Sequence, residues 1–289
     1  MIPLQPEIEK KLSTAVERMP AFPKSVQKIL ELTRNINCTP KELVSVIEKD
    51  PVITMKVLRV VNSAQLGLTT KITSVNQSVV YLGQNTIKNL ALSIAAIGIL
   101  PSHNAAGFDI QRYLMHSLTT ASFARQLCNV YAPGEVDPGD CYIAGLLHDF
   151  GKIVFAQFMP EQFKEVLARG ATDRVPSVIA ERELIGADHT VVGAMLAQKW
   201  QFPQALIDCI RSHHDNDAQP TAMNDCLRMA DVLSRHLGQP DGSSHYREGE
   251  KPISSQRFGT DLVKVTAALG DMDKIVADAM SFAQVSLAT

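Results

Sequence analysis

Cysteine is sparse and poorly arranged for structural duty: Cys38, Cys128, Cys141, Cys209 and Cys226 are odd in number and include no C-x-x-C pair. That excludes a disulfide framework and a cysteine zinc site, and it predicts reduced thiols packed in a core. Charge of one sign is scarce as well. The 28 Lys and Arg against 30 Asp and Glu leave a formal net charge of -2, with the basic residues scattered. No broad positive field is available for phosphate backbones, so nucleic acid is not an expected partner. Long apolar runs are missing: "NLALSIAAIGIL" at 89–100 is interrupted by Ser93 and is shorter than the roughly 20 residues of a membrane span. It reads as a buried helix, with no membrane partner. The N-terminus "MIPLQPEIEKKL" lacks a basic start ahead of an apolar run, which predicts no secretory signal and a cytoplasmic chain.

Strand-like alternation bounded by turns is also hard to find, and helical punctuation takes its place. With 45% apolar and 20% charged residues over 289 positions, the chain can bury a sizeable core. In "TPKELVSVIEKDP", Thr39 and Glu42 form a capping box with Pro40 at the first helical position, and Asp50 with Pro51 repeats the device for "VITMKVLRVVNSA". The latter shows little polar face and is expected to be internal. Ser74 and Gln77 offer a second capping box, and Gly83 supplies the stop before the next helix. The sequence therefore predicts an all-α protein in two lobes. An N-terminal helical lobe covers 1–104, ending in the Pro- and Gly-bearing "LPSHNAAGF", and a second helical domain covers 105–289. Within the second, "GQPDGSSHYREGEKPISSQ" is polar and turn-rich, so a mobile surface loop is expected near 238–258. Helices close the chain from about Thr260 to Ala288.

Six of the eight histidines fall between 110 and 240, and each has an ordinary explanation beside a chemical one. "AGLLHDFGKIVF" at 144–155 sets His148, Asp149 and Lys152 in an otherwise apolar stretch. At helical spacing Lys152 stands one turn from both. The ordinary reading is an Asp149–Lys152 ion pair beside a satisfied core histidine. The other is a divalent cation held by imidazole and carboxylate, with the lysine placed for an anionic ligand of that cation. His116 shares a face with Tyr113, Thr120 and Phe123 and is expected to point inward. His189 follows Asp188, itself a candidate N-cap. His213 and His214 end a helix, where the dipole favours one cation more readily than it explains two histidines. Asp231 has Arg228 and Arg235 at helical spacing, so a solvated salt-bridged face is its ordinary reading.

Taken in order, H116, H148-D149-x-G-K152, H189, H213-H214 and D231 resemble the HD superfamily of metal-dependent phosphohydrolases. The run from "MPAFPKSVQKILELTRN" through "VVNSAQLGLTTKITSVNQSVVYLG" is similar to the first lobe of HDOD proteins, the HD-related output domain family. The two resemblances together span about residues 18–238. The superfamily resemblance implies one metal site of His116, His148, Asp149 and Asp231. It implies that Asp149 bridges to a second metal held by His189 and by His213 or His214, and that Lys152 faces a substrate phosphate. Asp149 and Lys152 are then the catalytic pair. Imidazoles with carboxylates suit Fe, Mn, Zn or Ni better than Mg, as one or two ions.

The HDOD resemblance implies instead a signalling or output module working through a protein partner, with a nucleotide or phosphate ester as its ligand. No GYP follows the histidine pair in "HHDNDAQPTAMN", so cyclic dinucleotide hydrolysis is not expected. The sequence thus supports two functions: an output module with a retained metal pocket, and an active metal-dependent phosphohydrolase.

Overall fold

The computed structural model describes residues 4–33, 38–63, 70–101, 103–172, 175–239, 241–243, 257–259 and 262–287. Sixteen helices are present among the described residues, and the fold is all-α. The chain divides into two compact units, one formed by residues 21–100 with 277–289 and the other by residues 1–20 with 101–276. None of the described helices is long and apolar enough to cross a membrane.

Helix α1 (Pro6–Arg18) belongs to the larger unit, which departs from the expected lobe of residues 1–104. The reason is side-chain burial and capping: α1 buries Leu12, Ala15 and Val16. Lys199 donates from Nζ to the carbonyls of Val16, Glu17 and Met19 at the end of that helix. A lysine on exposed helix-terminal carbonyls satisfies groups that the helix itself leaves open.

The smaller unit contains α2 (Lys24–Thr33), α3 (Pro40–Glu48), α4 (Pro51–Val61), α5 (Val75–Leu82) and α6 (Gln84–Gly98). The Thr39–Glu42 capping box forms in both directions. Asp50 caps α4 through the backbone N–H groups of Val52 and Ile53. Ser74 accepts from Gln77 N, while Gln77 Oε1 accepts from the backbone and hydroxyl of Thr73 rather than from Ser74. The box is therefore displaced by one residue. Gly83 has φ 80°, a backbone region that side chains avoid, and it is at once the C-cap of α5 and the N-cap of α6. Asn62 closes the end of α4 by donating to Leu58 O and Ile72 O and accepting from Ile72 N.

Contrary to expectation, α4 is not internal. Ile53, Val57, Val60 and Val61 are buried, but Val52 and Met55 are 57% and 60% exposed. Valine and methionine on the outward face made the helix look apolar all round, although its packing is one-sided. The segment 64–69, which carries the end of the NSA–LG stretch, lies outside the described residues.

The larger unit continues with α7 (Ile110–Tyr131), α8 (Pro138–Leu147), α9 (Phe150–Phe158), α10 (Pro160–Thr172), α11 (Ser177–Leu184), α12 (His189–Lys199), α13 (Gln204–Ser212), α14 (Ala222–His236) and α15 (Leu262–Leu269). The boundary between the units falls within α16 (Met272–Leu287). α7, α8 and α14 pack on one another, as do α9, α12 and α13 along α12. Gly151 makes the second of these packings possible: a Cβ there would lie 2.0 Å from His189 O. Only glycine lets the two backbones approach so closely.

The loop expected at 238–258 is only partly within the described residues. Positions 240 and 244–256 lie outside them. Within the described part Gly238 is exposed, but Asp241 and Ser243 are buried, at 2% and 5% exposed. Their burial follows from a lysine partner described below, which turn-rich composition gives no means of seeing.

Candidate metal centre

Seven side chains from six helices and their caps converge in the larger unit. His116 comes from the first half of α7, His148 is the C-cap of α8, and Asp149 is the N-cap of α9. His189 opens α12, whose N-cap Asp188 accepts from Thr190 N and Val191 N. His213 caps α13, His214 follows it, and Asp231 lies in α14. A helix break between His148 and Asp149 turns adjacent residues into the end of one helix and the start of another. Both can then face the same point.

Four of the five histidines share one orientation. His116 Nδ1 lies 2.8 Å from Gln239 O, His148 Nδ1 2.8 Å from Gly145 O, and His213 Nδ1 2.7 Å from Ile210 O. His189 Nδ1 lies 2.7 Å from Glu181 Oε2. In each case an acceptor fixes the proton on Nδ1 and leaves the Nε2 lone pair for something else, the outer arrangement found behind metal-bound imidazoles.

The Nε2 atoms and two carboxylates close on each other in two halves that share Asp149. In the first half, His116 Nε2 is 3.3 Å from His148 Nε2 and 3.2 Å from Asp231 Oδ1. Asp149 Oδ2 lies 3.4 Å from His148 Nε2 and 3.8 Å from His116 Nε2. In the second half, Asp149 Oδ1 lies 3.0 Å from His189 Nε2 and 3.8 Å from His213 Nε2. His214 completes a set with Asp149, His189 and His213 in which ligand atoms all lie within 4.8 Å of one another. Bonds of roughly 2.0–2.2 Å from a metal to N or O put neighbouring ligand atoms about 3 to 3.5 Å apart; His116 to His148 and Asp231, Asp149 to His148, and Asp149 to His189 have this spacing, and the remaining pairs are wider.

A group is called for at this place. His213 Nε2 is buried without a hydrogen-bond partner, a costly state for a polar atom, and the neighbours of His189 Nε2, Asp149 Oδ1 and Asp231 Oδ1 are the site's own imidazoles and carboxylates. The charge balance points the same way. Asp149, Glu181, Asp231 and Asp241 are each at most 4% exposed, and the cations ion-paired among them are Lys152 on Asp149 and Asp241 and Arg235 on Asp231 at 2.8 Å. Among the described residues these four acids outnumber the two cations paired with them, which favours imidazolium or a divalent cation in the pocket. The donor set of imidazole and carboxylate fits such a cation.

The protonation of the site answers to the same charges. Burial alone would push Asp149 up, but His148, Lys152 and His189 hold it well below the carboxylate range. Asp231 is likewise held well down by Arg235 and His116 against its burial. His116 is raised, because Asp231, Asp149 and Asp241 outweigh desolvation. Burial would lower His189, and Glu181 and Asp149 bring it up to about 10 despite Lys152. For His213, burial is reinforced by His148 and His189, and it falls to about 3. Desolvation, helped by His213 and His189, also holds His214 well down.

All seven ligand candidates read from the sequence come together, and Lys152 lies beside them. Lys152 Nζ donates to Asp149 Oδ2 at 2.8 Å and pairs with Asp241 Oδ2, at 1% side-chain exposure. Asp231 departs from the salt-bridged surface that its spacing suggests: it is 4% exposed, and Arg228 pairs elsewhere, with Asn216. His103 and His236 are not among the ligands, and His245 lies outside the described residues. Three participants were invisible in the sequence. Glu181 and Asp241 stand among ordinary surface-type residues, and Gln239 contributes only its carbonyl. A glutamate a few residues before a helix-opening histidine was the one available hint.

An HDOD domain model matches residues 19–216. A protein of uncharacterized function from Treponema pallidum (strain Nichols) is 26% identical over 258 residues, 88% of this chain and 49% of that protein. The chain thus spans about half the length of the curated relative it matches. Among solved structures, an HDOD domain protein of unknown function from Geobacter sulfurreducens has TM-score 0.74 at 22% identity, covering 92% of this chain and 99% of that one. A protein from Marinobacter aquaeolei VT8, described as a candidate signal transduction protein, has TM-score 0.78 at 24% identity, covering 99% and 67%. A candidate phosphohydrolase from Shewanella amazonensis SB2B has TM-score 0.70 at 22% identity, covering 95% and 97%. These likenesses carry the all-α fold, and the domain match extends over more than half of the sequence: the chain belongs to the HDOD family.

Proposed function

We propose that this chain is a signalling output module whose HD pocket holds one or two divalent transition-metal ions, Fe, Mn, Zn or Ni, and that it works by presenting its helices to a protein partner. The pocket then serves as a sensor, for the metal itself or for a nucleotide or phosphate-ester ligand of that metal. The carrying observation is the set of Nε2 atoms turned onto both oxygens of Asp149, three of them with Nδ1 held by backbone carbonyls and one by Glu181. Burial supports sensing of the metal itself over turnover. The two carboxylates and the four histidines with assigned Nδ1 partners are at most 4% exposed, and closed sites are the structural kind, whereas catalytic sites keep a position open to substrate. Lys152 is engaged by two carboxylates rather than turned to an incoming phosphate. Five free cysteines agree with a cytoplasmic setting.

A second reading, a metal-dependent phosphohydrolase, is favoured by one feature: the two oxygens of Asp149 serve separate halves, as in two-metal sites that clamp a phosphoryl group. In that case the metals would lower the pKa of a bound water, and Asp149 and Lys152 would be the residues nearest the chemistry. Metal content of untagged protein purified without chelator, by elemental mass spectrometry beside Asp149→Ala, tests the shared premise. A near-stoichiometric transition metal lost in the variant is the result expected; a wild type that stays empty after addition of Fe, Mn, Zn or Ni overturns both readings. Turnover of phosphate esters by the loaded protein, abolished by Asp149→Ala, would favour the hydrolase.

A further inference from the structure

We infer that Asp241 is a positioning residue for the metal centre, acting through Lys152 on the Asp149 oxygen that faces His116 and His148. This rests on the reading of the pocket as a metal site and adds a residue outside the ligand set. Lys152 Nζ has three protons and two carboxylate partners, Asp149 Oδ2 and Asp241 Oδ2. An ammonium with Asp149 as its sole partner would settle onto Asp149 Oδ2 and compete with a cation for that oxygen's lone pairs. Asp241 draws the ammonium aside and divides its charge between two carboxylates, so Oδ2 stays oriented and remains available.

Asp241 is itself built in place. Its Oδ1 accepts from Ser243 N at 2.8 Å and from Ser243 Oγ at 3.1 Å, which fixes the rotation of the carboxylate. Ser243 is seated against α10: a Cβ on Gly170 would lie 2.5 Å from Ser243 O. Two residues before Asp241, Gln239 O accepts from His116 Nδ1. One short stretch after α14 therefore holds two members of the first half from outside. The second half has a different outer carboxylate, Glu181 on His189. Each half is tuned by its own acid, and substituting one acid should disturb one half.

The experiment is titration of the full metal-stripped chain with Mn(II), reading free Mn(II) by its six-line paramagnetic resonance signal, for wild type, Asp241→Asn and Glu181→Gln. Asp241→Asn is expected to weaken one Mn(II) equivalent about tenfold or more, the size of effect outer carboxylates have on metal affinity, while any other equivalent stays within about twofold. Glu181→Gln should weaken the other equivalent. A purely architectural Asp241 would lower the unfolding temperature and leave the Mn(II) constants alone, or change both alike; either result overturns the inference. Wild type that binds no Mn(II), Zn(II) or Ni(II) overturns the metal reading and the inference with it, whereas normal wild-type binding with unchanged Asp241→Asn overturns the inference alone. Should Asp241→Asn fold poorly, Lys152→Met with Asp241→Leu removes both buried charges together. That double variant removes the competing ammonium and is expected to bind the affected Mn(II) equivalent at least as tightly as wild type; a loss as large as that of Asp241→Asn counts against the proposal.

Discussion

Glu181 Oε2 accepts twice from the same residue, from His189 Nδ1 at 2.7 Å and from the His189 backbone N–H at 2.8 Å. One buried carboxylate oxygen therefore sets both the ring orientation and the first turn of α12. Glu181→Gln keeps the shape and one acceptor but loses the charge. It should retain the fold and reduce the unfolding temperature by a few degrees, consistent with about 1–3 kcal/mol for a charged buried hydrogen bond. Thermal melts of the metal-free variant would show this.

Gly151→Ala is expected to be far more damaging than its size suggests. The new methyl would enter the space of His189 O, where only backbone can yield, and overpacking of this kind costs about 1–3 kcal/mol or more. Because α9 and α12 bring Asp149 to His189, the variant should also lose second-half metal. Urea unfolding with parallel elemental analysis separates the two effects; full metal content in a destabilised protein would show that the helix spacing is not what sets the site.

In chelator, stability should peak near neutrality. His189 is raised in the folded chain from 6.5 to about 10, so the stability it contributes is complete below pH 6.5 and is lost as pH rises through 10. His213 is lowered from 6.5 to about 3. Its contribution is complete above pH 6.5 and is lost as pH falls toward 3. Bound metal displaces the His189 proton and should flatten the alkaline limb. Unfolding temperature against pH, with and without Mn(II), reads both limbs; a flat profile between pH 6.5 and 10 in chelator would contradict the assignment.

Lys199→Met tests the end of α1. Three carbonyls lose a shared cation, and a loss of about 1–3 kcal/mol is expected for hydrogen bonds to a charged group. Metal content should be untouched. Denaturant midpoints measured alongside metal analysis would reveal a coupling that the present geometry does not provide.

Much of this was legible in residue order. Thr39, Asp50 and Ser74 cap helices as their spacing dictates, since capping depends on neighbours a few positions away. The histidines and aspartates were legible as a set because a family resemblance supplied the order that distance along the chain conceals. What failed was whatever depends on a distant partner. Asp231 looked solvated because Arg228 and Arg235 are near in sequence, and nothing local reveals His116 beside it. Asp241 looked like loop because Pro, Asp, Gly and Ser are turn residues, and its burial is decided by Lys152, 89 positions earlier. Val52 and Met55 made α4 look internal because apolar character does not say which side is covered.

Gln239, whose carbonyl orients His116, lies 123 positions after it. During synthesis the chain emerges from its N-terminal end, and His116, His148 and Asp149 are exposed to cellular metals long before Gln239 and Asp241 have been made. A chain ending at Asp149 carries three of the seven candidate ligands and neither Gln239 nor Asp241. The acceptor that orients His116 is therefore made only after every candidate ligand has been made.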